Sequence, residues 1–243
     1  MRASRIILPA LVAVAAVFLG ACSSSIGTRI ASPTPVTDRS DTGVVGHGME
    51  VLPSETLTDW VTYADAVVTA KVVDTRRGEL SADEQEAGEG LELRSVTLEV
   101  ADVIWSSGRG ADTPTQMTWS YGGWVVSADD EERRFLIEDA VQLDASHEYL
   151  VPILFGGLPE DQWNPLAAPA ILSFDGGVAG AGEAVFTSEE GEPHRSSAAK
   201  ELWGLDRSAV ADILANTAPD PAAADFMDLP ALERYQAVAE GTR

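Results

Sequence analysis

The chain holds a single cysteine, Cys22, so it can form no internal disulfide and no thiolate metal centre. A domain of about 200 ordered residues must then be held by its apolar core alone. Lysine is nearly absent, occurring only as Lys71 and Lys200 against fourteen arginines. With the many alanines, this points to a GC-rich genome of the actinobacterial kind. Cations are outnumbered throughout: 16 Lys and Arg face 39 Asp and Glu, for a formal charge of −23. Such a surface repels polyanions, so nucleic acid is not expected as a partner. Histidine is scarce as well, at His47, His147 and His194. None has the i, i+4 or HExxH spacing that binds zinc on a helix, and no metal site is expected. There is no GxSxG elbow and no EF-hand loop, and Asp129-Asp130-Glu131-Glu132 reads as a solvated turn. No catalytic residue and no cofactor is assigned.

What is present starts with an address. Arg2 and Arg5 precede an apolar run from Ile6 to Leu19 that only Pro9 interrupts. Its length and flanks suit a signal peptide and are too short for a spanning helix. The run ends in Leu19-Gly20-Ala21-Cys22, which resembles a bacterial lipobox. The resemblance implies cleavage before Cys22 and a diacylglycerol on its thiol. Two acyl chains anchor a protein stably, where one would be marginal. The expected place is the extracytoplasmic face of the cell membrane. Without Arg2 and Arg5 the processed chain keeps 14 cationic side chains against 39 acidic ones, a charge of −25.

Residues 22–53, with Ser32-Pro33-Thr34-Pro35, read as a flexible tether that lifts a domain off the membrane. Thr56 can cap a short helix ending near Tyr63, with Asp59 three residues on and Leu57, Trp60, Val61 and Ala64 as its apolar face. Ala64 to Asp74 alternates as a first strand. Thr75 to Gly90 reads as a solvated acidic loop. In Leu91 to Trp105, Val96, Leu98 and Val100 share a face, and the phase slips across Ala101-Asp102, which predicts a β-bulge. Thr115 to Ser127 is a third strand bent at Gly122-Gly123. Arg133 to Leu143 and Glu148 to Phe155 follow, with Pro152 predicting an edge position or a bulge. Short strands are expected at Ile171 to Phe174 and Ala184 to Thr187. Asp206 can then cap a helix with Leu205 as a staple on Val210, and Asp228 can cap a last one carrying the stripe Leu229, Leu232, Tyr235 and Val238.

The segment from Ala64 to about Phe174 is similar to OB-like, netrin-like barrel domains of exported bacterial proteins, most of them of unknown function. Ala64-Asp65-Ala66-Val67-Val68-Thr69-Ala70-Lys71-Val72-Val73 looks like their first strand, with Ala70 where a glycine often stands. Val96-Thr97-Leu98-Glu99-Val100-Ala101-Asp102-Val103-Ile104-Trp105 looks like their second, and Gly122-Gly123 with Glu148-Tyr149-Leu150-Val151 like the later pair. Ser146-His147 replaces the glycine usual before the Tyr-Leu pair. The cysteines of the netrin-like inhibitors are missing, which argues against an inhibitor role.

The expected fold is mainly β: a small closed or partly open antiparallel barrel, OB-like, with a short N-terminal helix and a helical C-terminal tail. The expected divisions are a signal peptide over 1–21, the lipid-anchored tether over 22–53, the barrel domain over 54–195 and a helical segment over 196–243. The candidate site residues are Cys22 for lipidation and Trp124 and Trp163 for ligand binding. Trp124 follows two glycines and Trp163 stands in the polar stretch Asp161-Gln162-Trp163-Asn164-Pro165, whereas Trp60, Trp105 and Trp119 fall on core faces. The function expected is that of a non-enzymatic, lipid-anchored envelope module that binds another envelope protein or a glycan. The alternative is an envelope hydrolase using His147 with a carboxylate.

Overall fold

The computed structural model describes residues 43–46, 48, 50–109, 112–128, 132–157, 161–182, 185–186 and 194–241. The stretch read as a signal peptide, Cys22, His47, most of the stretch read as a tether and most of the Asp129 to Glu132 run lie outside them. The strands are β1 (Val44–Gly46), β2 (Ala66–Arg77), β3 (Gly90–Ser106), β4 (Gln116–Val126), β5 (Glu132–Ile137), β6 (Ala140–Val141), β7 (Glu148–Phe155), β8 (Trp163–Pro165), β9 (Leu172–Ser173) and β10 (Val185–Phe186). The α-helices are α1 (Leu57–Tyr63), α2 (Ala82–Ala87), α3 (Ser197–Leu202), α4 (Arg207–Asn216) and α5 (Ala231–Gly241).

Local chemistry builds the long elements. Thr56 and Asp59 form a reciprocal capping box on α1, and Leu57, Trp60 and Val61 go to the core. On β2, Ala66, Val68, Ala70 and Val72 enter one apolar cluster while Val67 enters another, so both faces of this strand are covered. Thr69, on the side opposite Ala66, Val68, Ala70 and Val72, is fully buried as well. On β3, Val96 and Leu98 are buried, and the β2 register skips Ala101, the bulge that the phase slip predicted. The strand bulges again at Ile104, and β2 at Val73.

Eight strands make one open mixed sheet in the order β1-β5-β4-β3-β2-β7-β8, with β9 also on β7. The barrel expectation is therefore corrected: the fold is α+β, an open sheet with C-terminal helices. β1 runs parallel to β5, and no ladder joins the outer strands β1 and β8. Both are three residues long, and Pro165 on β8 has no N–H to offer a further strand. Burial is achieved another way. Ala198, Ala199 and Leu202 of α3, Val210 and Leu214 of α4 and Ala231 of α5 pack with α1, Val67 and Leu150 in one cluster. On the other face Val96, Leu98, Met117, Tyr121, Tyr149 and Ile153 form a second cluster, joined by Val141 of β6. The sheet curls enough for Trp119 Nε1 of β4 to donate to the Trp163 carbonyl of β8 at 2.8 Å, although three strands lie between them.

Several smaller expectations are also corrected. Pro152 is not on an edge: β7 is covered by β2 on one side and by β8 and β9 on the other. Pro152 stands between the stretches that β8 and β9 cover, where its carbonyl still takes the Leu166 N–H at 2.8 Å. The predicted loop from Thr75 holds the end of β2 and the helix α2, which Ser81 and Glu84 cap reciprocally. Arg133 to Leu143 is two strands, split at Asp139 with φ of 54°. On α5 the buried positions are Ala231 and Arg234; of the predicted stripe, Leu232 packs against the first cluster, and Tyr235, though exposed, meets the Tyr63 ring edge to face at 6.0 Å.

Arg234 fastens that last helix. It is 1 % exposed, donates to the Thr62 carbonyl at the end of α1, and donates to Leu229 O at 2.7 Å. Arg109 donates to the carbonyls of Val61, Thr62 and Ala64 from the other side. Two guanidinium groups thus satisfy the unpaired carbonyls and negative end of α1. Asp65, 7 % exposed, stands near both; burial pushes its carboxyl up, opposed by the Phe155 N–H and the two arginines.

Candidate functional site

The two tryptophans singled out from the sequence are placed differently. Gly122 and Gly123 have φ of 61° and 151°, and a Cβ on Gly123 would lie 2.1 Å from the Glu92 carbonyl oxygen. Only glycine allows this bend and this approach. Past it, Trp124 stands across from Glu92 on β3 and Arg134 on β5. The Arg77 guanidinium lies 4.7 Å from the ring centroid and that of Arg134 5.5 Å. Arg77 is held by Glu92 and, at 2.7 Å, by Glu132, and these bonds raise the Arg77 pKa while lowering that of Glu132. The half-buried ring is thus engaged by this chain's own cations.

Trp163 is not in a loop but on β8. Its ring meets Phe155 edge to face at 5.7 Å and packs against the second apolar cluster. It is partly core, and Asn164 and Pro165 after it belong to the same outer strand. Trp163 is on the outer strand β8, and Trp124 on β4 pairs with β3 and β5.

His147 does meet a carboxylate. Its Nδ1 is 2.5 Å from Asp175 Oδ2, and Asp175 Oδ1 accepts the Glu148 N–H at 3.0 Å. An aspartate that fixes a histidine in this way can orient a base, but a hydrolase also needs a nucleophile bonded to it. Among the described residues no serine is bonded to His147; Ser173 is buried and donates to the Ala181 carbonyl. His194 is exposed, and its backbone N–H donates to Asp139 Oδ1 at 3.2 Å. Among the described residues no group of three or more His, Cys, Asp and Glu is placed to hold a metal ion.

A large concavity lies elsewhere, a cavity of about 1040 Å³ bordered by both ends of the strand order, Gly46 of β1 and Asn164 and Pro165 of β8. Neither Trp124, Trp163 nor His147 lines it. Phe135, Ile137, Leu154, Leu166 and Leu232 give it apolar walls, and Trp119 and Ser120 of β4 reach it. Glu50, Glu55, Glu138 and Asp139 bring four carboxylates, and no Lys or Arg is among the described residues that line it. Burial raises the Glu50 carboxyl, the Ser54 hydroxyl bond opposes this, and the like charge of Glu55 raises it further. Gln162 and Asn164 have side-chain N–H groups already committed, to Asn164 Oδ1 at 3.2 Å and to Gly156 O at 2.7 Å.

Sequence reasoning did not find this cavity, because its residues come from β1, the chain before α1, β4, β5, β8 and the C-terminal helices, with no spacing in common. The compositional signal, acid in great excess over base, points to its character and not to its place. No family model matches the chain, and it matches no curated protein and no solved structure.

Proposed function

We propose that this chain is a non-enzymatic, lipid-anchored module of the cell envelope, and that it binds its partner in the cavity between β1 and β8. The observation that carries the reading is the cavity itself, an apolar-walled concavity with a few polar groups converging on it, the usual form of a binding site. Among the described residues no nucleophile is bonded to the His147–Asp175 pair, and this supports binding over hydrolysis. The anchor rests on Leu19-Gly20-Ala21-Cys22 and on the tether behind it.

The test is to place a photo-crosslinking amino acid at Ser120, which lines the cavity and is exposed, and at Glu86 on α2 as a control. In the full chain within its own envelope, Ser120 should give an adduct of defined mass and Glu86 none. No adduct at Ser120, or equal labelling at both, would remove the cavity from consideration. For the anchor, Cys22→Ala should abolish the lipid mass and membrane retention of the processed form. Retention with unchanged mass would show that Cys22 carries no lipid.

A further inference from the structure

We propose that a single chloride-sized anion binds between Arg94 and Arg134, in a small cavity where the ladders on both sides of β4 are interrupted. The β3–β4 register passes from the pair Leu93–Gly123 to the pair Ser95–Ser120, so Arg94 stands opposite Tyr121 and Gly122 in a bulge. On its other side β4 pairs with β5 only from Gly123 onward, opposite Phe135. The cavity at these breaks has a volume of about 10 Å³, and Arg94 and Arg134 both line it. That is room for one water-sized particle. It shares only Phe135 and Ile137 with the larger cavity, so it is a separate site whatever the larger one holds.

Both guanidinium groups are short of acceptors. The Arg94 side chain is only 10 % exposed, yet its one hydrogen bond among the described residues is a long one, 3.4 Å from Nε to the Tyr121 carbonyl. Its Nη1 stands 3.7 Å from Asp144 Oδ1, beyond hydrogen-bond distance and on a half-exposed carboxylate. Burial lowers the Arg94 pKa, Asp144 opposes this, and the like charge of Arg134 lowers it further. Arg134 has its Nε buried with no hydrogen-bond partner, while its guanidinium carbon lies 5.5 Å from the Trp124 ring centroid. Glu92, across from Trp124, and Glu132, two residues before Arg134, pair with Arg77 instead. The described residues that line the cavity include no Asp or Glu. The carbonyls of Tyr121, Val141 and Gln142 already accept bonds, from Arg94, Tyr121 and Tyr149. Two cations against the single carboxylate of Asp144 leave one positive charge over. A water molecule would supply an acceptor without a charge; a monovalent anion supplies both, through charge-assisted N–H bonds. The acid in excess over the rest of the chain acts from a distance, and physiological salt screens it beyond about 8 Å.

The experiment uses the full chain in neutral-detergent micelles, with empty micelles as the blank, at constant ionic strength made up with sodium gluconate. The chlorine NMR line of added chloride should broaden over the blank, and bromide should remove the excess where sulfate, a larger anion, does not. Replacing gluconate by chloride up to about 150 mM should raise the melting temperature by about 3 °C or more, since an anion held only by the folded chain stabilises it. Arg134→Gln should abolish both effects. Arg133→Gln makes the same charge change at an exposed neighbour that does not line the cavity, and should keep both. If Arg134→Gln fails to fold, the wild-type chlorine line still decides. No excess broadening in the wild type would show that water alone fills the cavity, and would overturn the site. Both effects surviving in folded Arg134→Gln, or lost equally in Arg133→Gln, would overturn it as well, the second because chloride would then be gathering loosely at surface cations. Displacement by sulfate as readily as by bromide would overturn the assignment to a chloride-sized anion.

Discussion

Trp124 and Trp163 show how the same residue type takes different roles from its surroundings. The Trp124 ring rests beside two guanidinium groups on the sheet surface, each within the distance at which a cation and a ring attract. Trp124→Ala should cost about 1 kcal/mol, the loss of two such contacts at a partly exposed site. Trp163 packs on Phe155 and on the second apolar cluster, so Trp163→Ala opens a void and should cost about 3 kcal/mol. Urea unfolding of the two variants checks the order; equal losses would show that Trp163 is not core. The sequence marked both rings as out of place on a periodic face, which was legible. What the rings do was not, because Arg77, Arg134 and Phe155 are brought to them by strands that are remote in the chain.

At the level of elements, the alternation along β3 reads through directly. Leu98 is fully buried, whereas Thr97 shares a hydroxyl bond of 2.9 Å with Thr118 on the other face. Leu98→Asp should cost about 4 kcal/mol or more, since an unpaired carboxylate would enter the core, and Thr97→Asp should cost far less. Equal melting temperatures would mean that the face assignment is wrong. Helix starts were as legible as strand faces, because Thr56 and Asp206 satisfy N–H groups within three residues of themselves. The last helix was less so. Its buried positions are Ala231 and Arg234, beside a partly buried Leu232, and nothing local announces a buried arginine. Its partners, the Thr62, Met227 and Leu229 carbonyls, include one 172 residues away.

That contact matters for the whole molecule. Arg234 ties the C-terminal helices to α1, and so holds the helical layer that covers one face of the sheet. Arg234→Ala should leave buried carbonyls unpaired and cost about 3 kcal/mol or more, read as a lower urea midpoint for the whole chain. Arg234→Lys should recover only part of it, because an ammonium cannot fork between Thr62 and Leu229. A midpoint unchanged by both variants would show that the helices hold without this tie.

The sequence by itself determined where the long strands β2, β3, β4 and β7 run, which face of β3 is apolar, where β3 bulges and where α1 and α4 begin. All of these follow from side-chain period and from hydrogen bonds closed within a few residues. It also settled the excess of acid and the absence of internal disulfides, which are matters of counting. Only the tertiary structure decided that the sheet stays open. Closure depends on whether two distant edges can exchange backbone hydrogen bonds, and no ladder joins the three-residue strands β1 and β8. With the helices burying one face, an open sheet leaves no apolar layer uncovered, and the space between its unpaired edges is the cavity. Hydrophobic patterns like those of OB-like domains specify strands and their faces; they do not specify how the first and last strands meet.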